Sequence, residues 1–375
     1  MPGWGGALTR RTVALVVGTR PEAIKMAPVY RALRASDGLE PLLISTGQHR
    51  ELLETALEPL QLVPDHRLDV MQASQSLNSV IVRVIERLSR LLAETQPEAL
   101  LVQGDTTSAL ASALAAYSMR VPVGHVEAGL RTYDHENPFP EEANRQLVDR
   151  ISTWCFTPTQ SGRSNLLAER IDDQRIHVTG NTVVDSLLWA IDRSEYRCDQ
   201  DTVLLTLHRR ESFGRPLAEI LHALCDFLDA IPEARVLWPV HPNPNVREAL
   251  HIVKGRDHQL EVRSPMNYLD FAGALASCRF ILTDSGGLQE EAPSLGKIAL
   301  VARDHTERPE ALATGRNRMV GRERETVREA LVSAWNEAPY GGPIPADNPY
   351  GDGHAGERIA RILAQSLAGR SVASA

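Results

Sequence analysis

Short aliphatic and β-branched runs alternate with helix-like stretches along most of this chain, and the scheme is gone through twice. In the first half the apolar runs are 13–17, 42–45, 100–103 and 121–125; in the second they are 203–206, 235–240, 260–262, 280–283 and 298–301. Stretches with helical periodicity, such as 217–231 and 267–277, fall between them. Parallel strands cannot be joined by a hairpin and need a crossover, so this alternation dictates parallel sheets with helices on both faces. At 375 residues the chain exceeds what one core usually supports. We read an α/β protein of two doubly wound, Rossmann-like domains facing a central cleft, spanning 11–182 and 183–353, with a closing helix at about 355–367. The charged stretch 192–201 lies near the boundary, and both the first ten or so residues and the tail after Leu367 read as loose ends.

Open α/β sheets bind ligands beyond the carboxyl ends of their strands, and the unusual polar clusters of this sequence sit there. Gly18-Thr19-Arg20-Pro21-Glu22, Thr46-Gly47-Gln48-His49, Gly104-Asp105-Thr106-Thr107 and Glu127-Ala128-Gly129 follow the strands of the first half. His208-Arg209-Arg210-Glu211, His241-Pro242-Asn243, Asp284-Ser285-Gly286-Gly287 and the stretch from Arg303 to Arg308 follow those of the second. Arg20, Lys25, Arg131, Arg145, His208, Arg209, Arg210, His241, Arg303 and Arg308 would make a local cationic pocket in a chain of formal net charge −8. Such a chain is suited to a small anion held locally. It is not suited to nucleic acid or an anionic membrane surface, which need a dominant basic field. The apolar runs fall far short of the roughly 20 residues of a membrane span. Four scattered cysteines without a CxxC pair fit reduced thiols in the cytoplasm better than a disulfide framework or a zinc site.

The run from strand 280–283 through Ser285, Gly286 and Gly287 into a helix carrying Gln289-Glu290-Glu291 reads as a diphosphate cradle, with Glu291 placed for sugar hydroxyls. Alone, it has a second reading as a tight strand-to-helix turn with an acidic first turn. No GxGxxG follows a strand, Gly296-Lys297 fails as a Walker A motif, and neither HExxH nor GxSxG occurs. No nicotinamide cofactor and no metal are expected, which leaves carboxylates, cations and backbone dipoles to do the chemistry.

Eleven segments carry a family resemblance, in order and over nearly the whole chain: GTRPEAIKMAPV (18–29), TGQHREL (46–52), GDTTSALA (104–111), HVEAGLRT (125–132), PFPEEANR (138–145), TGNTVVD (179–185), HRRESFG (208–214), PVHPNPNVR (239–247), LTDSGGLQEEAPSLGK (282–297), TERPEA (306–311) and NPYGDG (348–353). Together they resemble the non-hydrolysing UDP-N-acetylglucosamine 2-epimerases. The resemblance implies a GT-B-like fold with UDP mainly on the second domain. It also implies reversible conversion of UDP-N-acetylglucosamine to UDP-N-acetylmannosamine without a cofactor, by a cytoplasmic homodimer. Departures are few, among them Asn137, His305, Arg316 and Ser74, and none removes a candidate acid or base.

The resemblance assigns Asp105, Glu127 and Glu141 as acid/base carboxylates and His208 to the departing diphosphate. It gives Arg20, Lys25, Arg145, Ser285, Gly286, Gly287, Glu291 and Arg308 to the substrate. A second UDP-sugar acting as activator would lie near Gln48, Arg209, Arg210 and His241. These assignments suit the chemistry. C2 of the sugar is not next to a carbonyl, so its proton becomes acidic only as UDP leaves C1; the enzyme needs cations for the leaving group and acid/base groups at both sugar faces.

The residues alone leave other roles open. Asp105 also reads as a helix cap. Glu141, four residues before Arg145, reads as a helix-start glutamate held by an ion pair. Glu127, between apolar segments, needs a partner or a function. Three rival functions use the same loops: an epimerase for another UDP-2-acetamido sugar, a GT-B glycosyltransferase, and a nucleotide-sugar sensor.

Overall fold

The structure is a computed structural model that describes residues 10–373 apart from 48–52, 54, 55, 72–75, 210, 211, 241, 242, 307, 338–344 and 346. The N-terminal extension therefore lies outside the described residues. The described residues up to Ser186, with those from Gly353 onward, form one compact unit, and Leu187–Asp352 forms a second. The helix Thr182–Arg193 carries the chain from one to the other.

Among the described residues the first unit contains a seven-stranded sheet in the order β3-β2-β1-β4-β5-β6-β7. Its strands are β1 Arg11–Val17, β2 Leu39–Ser45, β3 His66–Arg67, β4 Ala99–Gln103, β5 Val123–Val126, β6 Trp154–Thr157 and β7 Ile176–Val178. The second unit repeats the plan with six strands in the order β10-β9-β8-β11-β12-β13. These are β8 Thr202–Thr206, β9 Arg235–Pro239, β10 Leu260–Arg263, β11 Phe280–Thr283, β12 Ala299–Val301 and β13 Asn317–Met319. Every pairing in both sheets is parallel. Central strands are buried on both faces, as all-parallel sheets require: Val13, Ala14, Leu15 and Val17 are each 0% exposed.

In each sheet the chain walks outward over three strands, returns past the first, and continues the other way. The reversal falls between β1 and β4 in one unit and between β8 and β11 in the other. A crevice opens at such a switch point because the flanking connections leave in opposite directions. Arg20 follows β1 and Asp105 follows β4, while His208 follows β8 and Ser285–Gly287 follow β11.

Four strands escape the sequence pattern: β3, β6, β7 and β13, each only two to four residues long. The polar Asn317–Met319 is an edge strand whose order comes from its pairing with β12. The fourth apolar run, read as 121–125, is strand only from Val123. Pro122 has no N–H to give the ladder, although its carbonyl accepts from the Leu100 N–H at 2.9 Å.

The last helix, Ala355–Ala373, runs beyond Leu367, where the sequence reading expected order to end. No proline interrupts that stretch. The helix packs against Arg20–Ala35 at Gly356, where an added Cβ would lie 2.8 Å from the Pro28 carbonyl carbon. Only glycine permits that approach, and its N–H also donates to Asp185 Oδ1 at 2.8 Å. No described helix is long and apolar enough to cross a membrane.

Candidate active site

The first unit places Glu127 immediately after β5 with φ +70°, a left-handed conformation that costs a residue with a Cβ about 1 kcal/mol. Two backbone bonds hold it there, from the N–H groups of Glu127 and Ala128 to the Phe156 carbonyl at 3.1 and 3.0 Å. The side chain is 7% exposed and meets three donors. Lys25, from the helix Arg20–Ala35, gives its ammonium to Oε1. Gln103, the last residue of β4, donates to Oε2. Asn181 donates to Oε1 at 3.3 Å. The question left by the sequence, what a carboxylate does between apolar segments, is answered by these partners.

Asp105 lies at the end of the neighbouring strand, its carboxylate 2.9 Å from an Arg145 guanidinium nitrogen. Asn144 also donates to the Asp105 backbone carbonyl at 2.9 Å. Burial pushes the Asp105 carboxyl above the ordinary aspartate range against the pull of Arg145, and the negative charges of Glu127 and Glu141 push it the same way. Asp105 thus stands in the field of the other two candidate carboxylates. Glu141 is the half-buried first residue of the helix Glu141–Ile151.

The ion pair between Glu141 and Arg145 expected from their spacing is not what forms. Arg145 turns its guanidinium to Asp105 and, at 3.7 Å, to Glu142, while Glu141 contributes only its backbone carbonyl, 3.4 Å from Arg145 Nε. Glu142 is fully buried and accepts from the N–H groups of Thr132 and Tyr133 at 3.0 and 3.1 Å. Helical spacing told which residues share a face but not what that face meets.

Arg20 opens its helix half-buried. The loop before it is held by Glu22, which accepts from the N–H groups of Gly18 and Thr19 at 2.5 and 2.8 Å and from the Thr106 hydroxyl at 2.5 Å. One buried carboxylate therefore ties the turn after β1 to the turn after β4.

In the second unit β8 and β11 meet at the hydroxyls of Thr206 and Thr283, 2.6 Å apart. Asp284, 0% exposed, accepts from the backbone N–H groups of His208 (3.1 and 3.0 Å to its two oxygens) and Arg209 (2.9 Å), and lies 3.4 Å from His208 Nδ1. The imidazole itself is 40% exposed. Gly286 faces two guanidinium groups: a Cβ there would stand 3.0 Å from Arg308 Nη1 and 3.1 Å from Arg209 Nη2. Nothing lies within 4 Å of the corresponding position on Gly287. Arg308 is anchored by Glu290 at 2.7 Å, and Glu291 reaches the Tyr268 hydroxyl at 3.4 Å. Two cations beside open glycine backbone are what an anionic ligand requires. Of the four residues read as an activator site, Gln48, Arg210 and His241 lie outside the described residues, and Arg209 stands with Arg308 at Gly286.

Sequence reasoning missed Gln103, Asn181, Glu22 and Asn144. A polar side chain ending an otherwise apolar strand was the available signal for Gln103. Asn181 stood in the quoted TGNTVVD segment without an evident purpose.

Replacing Arg145 by Met should raise the Asp105 pKa further, since its strongest opposing influence is gone while burial remains. Whichever limb of the activity profile Asp105 carries should move to higher pH; an unmoved profile would separate Asp105 from the rate.

A sequence profile of the UDP-N-acetylglucosamine 2-epimerases matches residues 31–364. The UDP-N-acetylglucosamine 2-epimerase of Escherichia coli (strain K12) is 46% identical over 367 residues, covering 94% of this chain and 98% of that one. Among solved structures, the Neisseria meningitidis enzyme bound to UDP-GlcNAc is 37% identical with TM-score 0.85, covering 94% of this chain and all (100%) of that one. The Methanocaldococcus jannaschii enzyme in complex with UDP-GlcNAc and UDP is 33% identical with TM-score 0.78, covering 94% and 99% of the two chains. MurG of Acinetobacter baumannii, 13% identical with TM-score 0.56 over 95% of this chain and 99% of its own, shares the fold alone. With a family profile spanning most of its length and relatives this similar end to end, the chain belongs to the UDP-N-acetylglucosamine 2-epimerase family.

Proposed function

We propose that the protein interconverts UDP-N-acetylglucosamine and UDP-N-acetylmannosamine by eliminating UDP and adding it back. The bond from C1 to the diphosphate oxygen breaks with its electron pair going to UDP. The C2 proton is taken by one carboxylate, which leaves a glycal. A proton then returns to C2 on the opposite face as UDP re-adds at C1. Asp105, Glu127 and Glu141 act as the acid/base groups, and Arg20, Lys25 and Arg145 bind the substrate. Ser285, Gly286, Gly287 and Arg308 receive the diphosphate, Glu291 the ribose, and His208, its ring backed by Asp284, stabilises departing UDP.

The observation that carries this reading is Glu127. A buried carboxylate in left-handed backbone is held by Lys25, Gln103 and Asn181, and its charge, with that of Glu141, reaches Asp105. A glycosyltransferase gains nothing from such a cluster, and a sensor has no use for it. The relatives bound to UDP-GlcNAc support the choice of substrate. A cytoplasmic homodimer belongs to the same proposal, as does a second UDP-sugar near Gln48, Arg209, Arg210 and His241.

Incubation with UDP-N-acetylglucosamine in deuterated water, without metal or nicotinamide, is expected to place deuterium at C2 and yield the manno epimer. Free sugar with UDP would mean hydrolysis. Unchanged substrate would mean another sugar or a sensor.

A further inference from the structure

Behind the candidate acids lies a polar cluster that the reaction scheme leaves unused. His125, in the middle of β5, is 0% exposed. Its Nε2 stands 2.8 Å from the Gly104 carbonyl and its Nδ1 stands 2.6 Å from Asp149 Oδ1. Both partners are acceptors. A carbonyl can only accept, and the Asp149 carboxylate is paired with the Arg131 guanidinium. Both ring nitrogens are thus engaged by fixed oxygen atoms, one on each side of the ring. Asp149 also takes the Arg131 guanidinium at 2.8 Å and the Gly129 N–H at 3.2 Å, and Arg131 is backed by Glu169 at 2.6 Å.

The ties run to three places. The Gly104 carbonyl directly precedes Asp105. His125 and Gly129 sit two residues before and two after Glu127. Asp149 lies on the helix that Glu141 opens. Glu127 has φ +70°, a conformation that in a residue with a Cβ persists only where surrounding contacts enforce it. We propose that His125 is a positioning residue for proton exchange at C2: its ring never meets substrate, and its two hydrogen bonds fix Asp105 and Glu127 relative to each other and to the Glu141 helix. The inference rests on the epimerase reading.

The alternative, a satisfied core histidine, differs in what substitutions do. His125→Leu roughly keeps volume and removes both ring nitrogens with their bonds to Gly104 and Asp149. His125→Gln keeps a donor near Nε2 for the Gly104 carbonyl. With UDP-N-acetylglucosamine, the Leu variant is expected to lose on the order of 50-fold in kcat and in C2 deuterium uptake, below the ~10²-fold that an ångström of misplacement can cost. KM and UDP affinity should stay within about threefold, and the Gln variant should recover at least about fivefold over Leu. Asp149→Asn, which keeps shape, should lose about tenfold in kcat with KM unchanged, and it settles the matter with the Gln variant if Leu does not fold. The proposal is overturned by a Leu variant within threefold of wild-type kcat, by Gln falling as far as Leu, by KM rising at constant kcat, or by full kcat in both Gln and Asn variants. A wild type that exchanges no deuterium would instead sink the epimerase reading.

Discussion

Glu127→Gln is expected to lower kcat by on the order of 10³- to 10⁴-fold and to abolish deuterium uptake at C2, while UDP still binds. The amide keeps the shape and can still face Gln103 and Asn181, but it neither takes nor returns a proton. A second consequence separates this site from an ordinary buried ion pair. The Lys25 side chain is 11% exposed, and with Glu127 neutral its ammonium faces a dipole where it had a charge. Breaking one side of such a pair costs about 3 kcal/mol. The melting temperature should therefore fall in Glu127→Gln and recover in Lys25→Met with Glu127→Gln, because the double variant removes both members of the ion pair. Activity should not recover with it. If the double variant regains both, Glu127 holds the fold and does not exchange the proton.

The two sheets were legible in the sequence because alternation of apolar runs with helical stretches admits few other arrangements, and the strand-end clusters Gly104-Asp105, Glu127 and Ser285–Gly287 followed from it. What stayed hidden depends on register between segments far apart in the chain. Arg145 lies four residues from Glu141, yet its guanidinium goes to Asp105, forty positions earlier on another element. Lys25, Gln103 and Asn181 come together on Glu127 from three separate segments. Local patterning carries no information about such meetings. His125 and Asp149 were invisible for a related reason: a histidine inside the run VGHV reads as a strand residue, and only the structure shows both its nitrogens engaged. Edge strands such as Asn317–Met319 were missed because a sheet's outermost strand can be polar and short.

Arg308→Gln is expected to weaken UDP binding about 100-fold, which is about 2.7 kcal/mol, by removing one of the two guanidinium groups at Gly286. That variant also strips Glu290, 1% exposed, of the cation 2.7 Å away, so lost affinity could merely reflect a damaged fold. Two further variants divide the possibilities. Arg308→Gln with Glu290→Gln removes both members of that ion pair, so stability should return while affinity does not. Gly286→Ala keeps both arginines but sets a Cβ 3.0 Å from one guanidinium and 3.1 Å from the other. These are the far ends of flexible side chains and can give way, so the melting temperature should hold. Their displacement should cost about tenfold in UDP affinity, the size expected when a charged contact is weakened and not deleted. Should Gly286→Ala bind UDP as tightly as the wild type, the diphosphate does not sit between Arg209 and Arg308, and the cradle belongs elsewhere in the second unit.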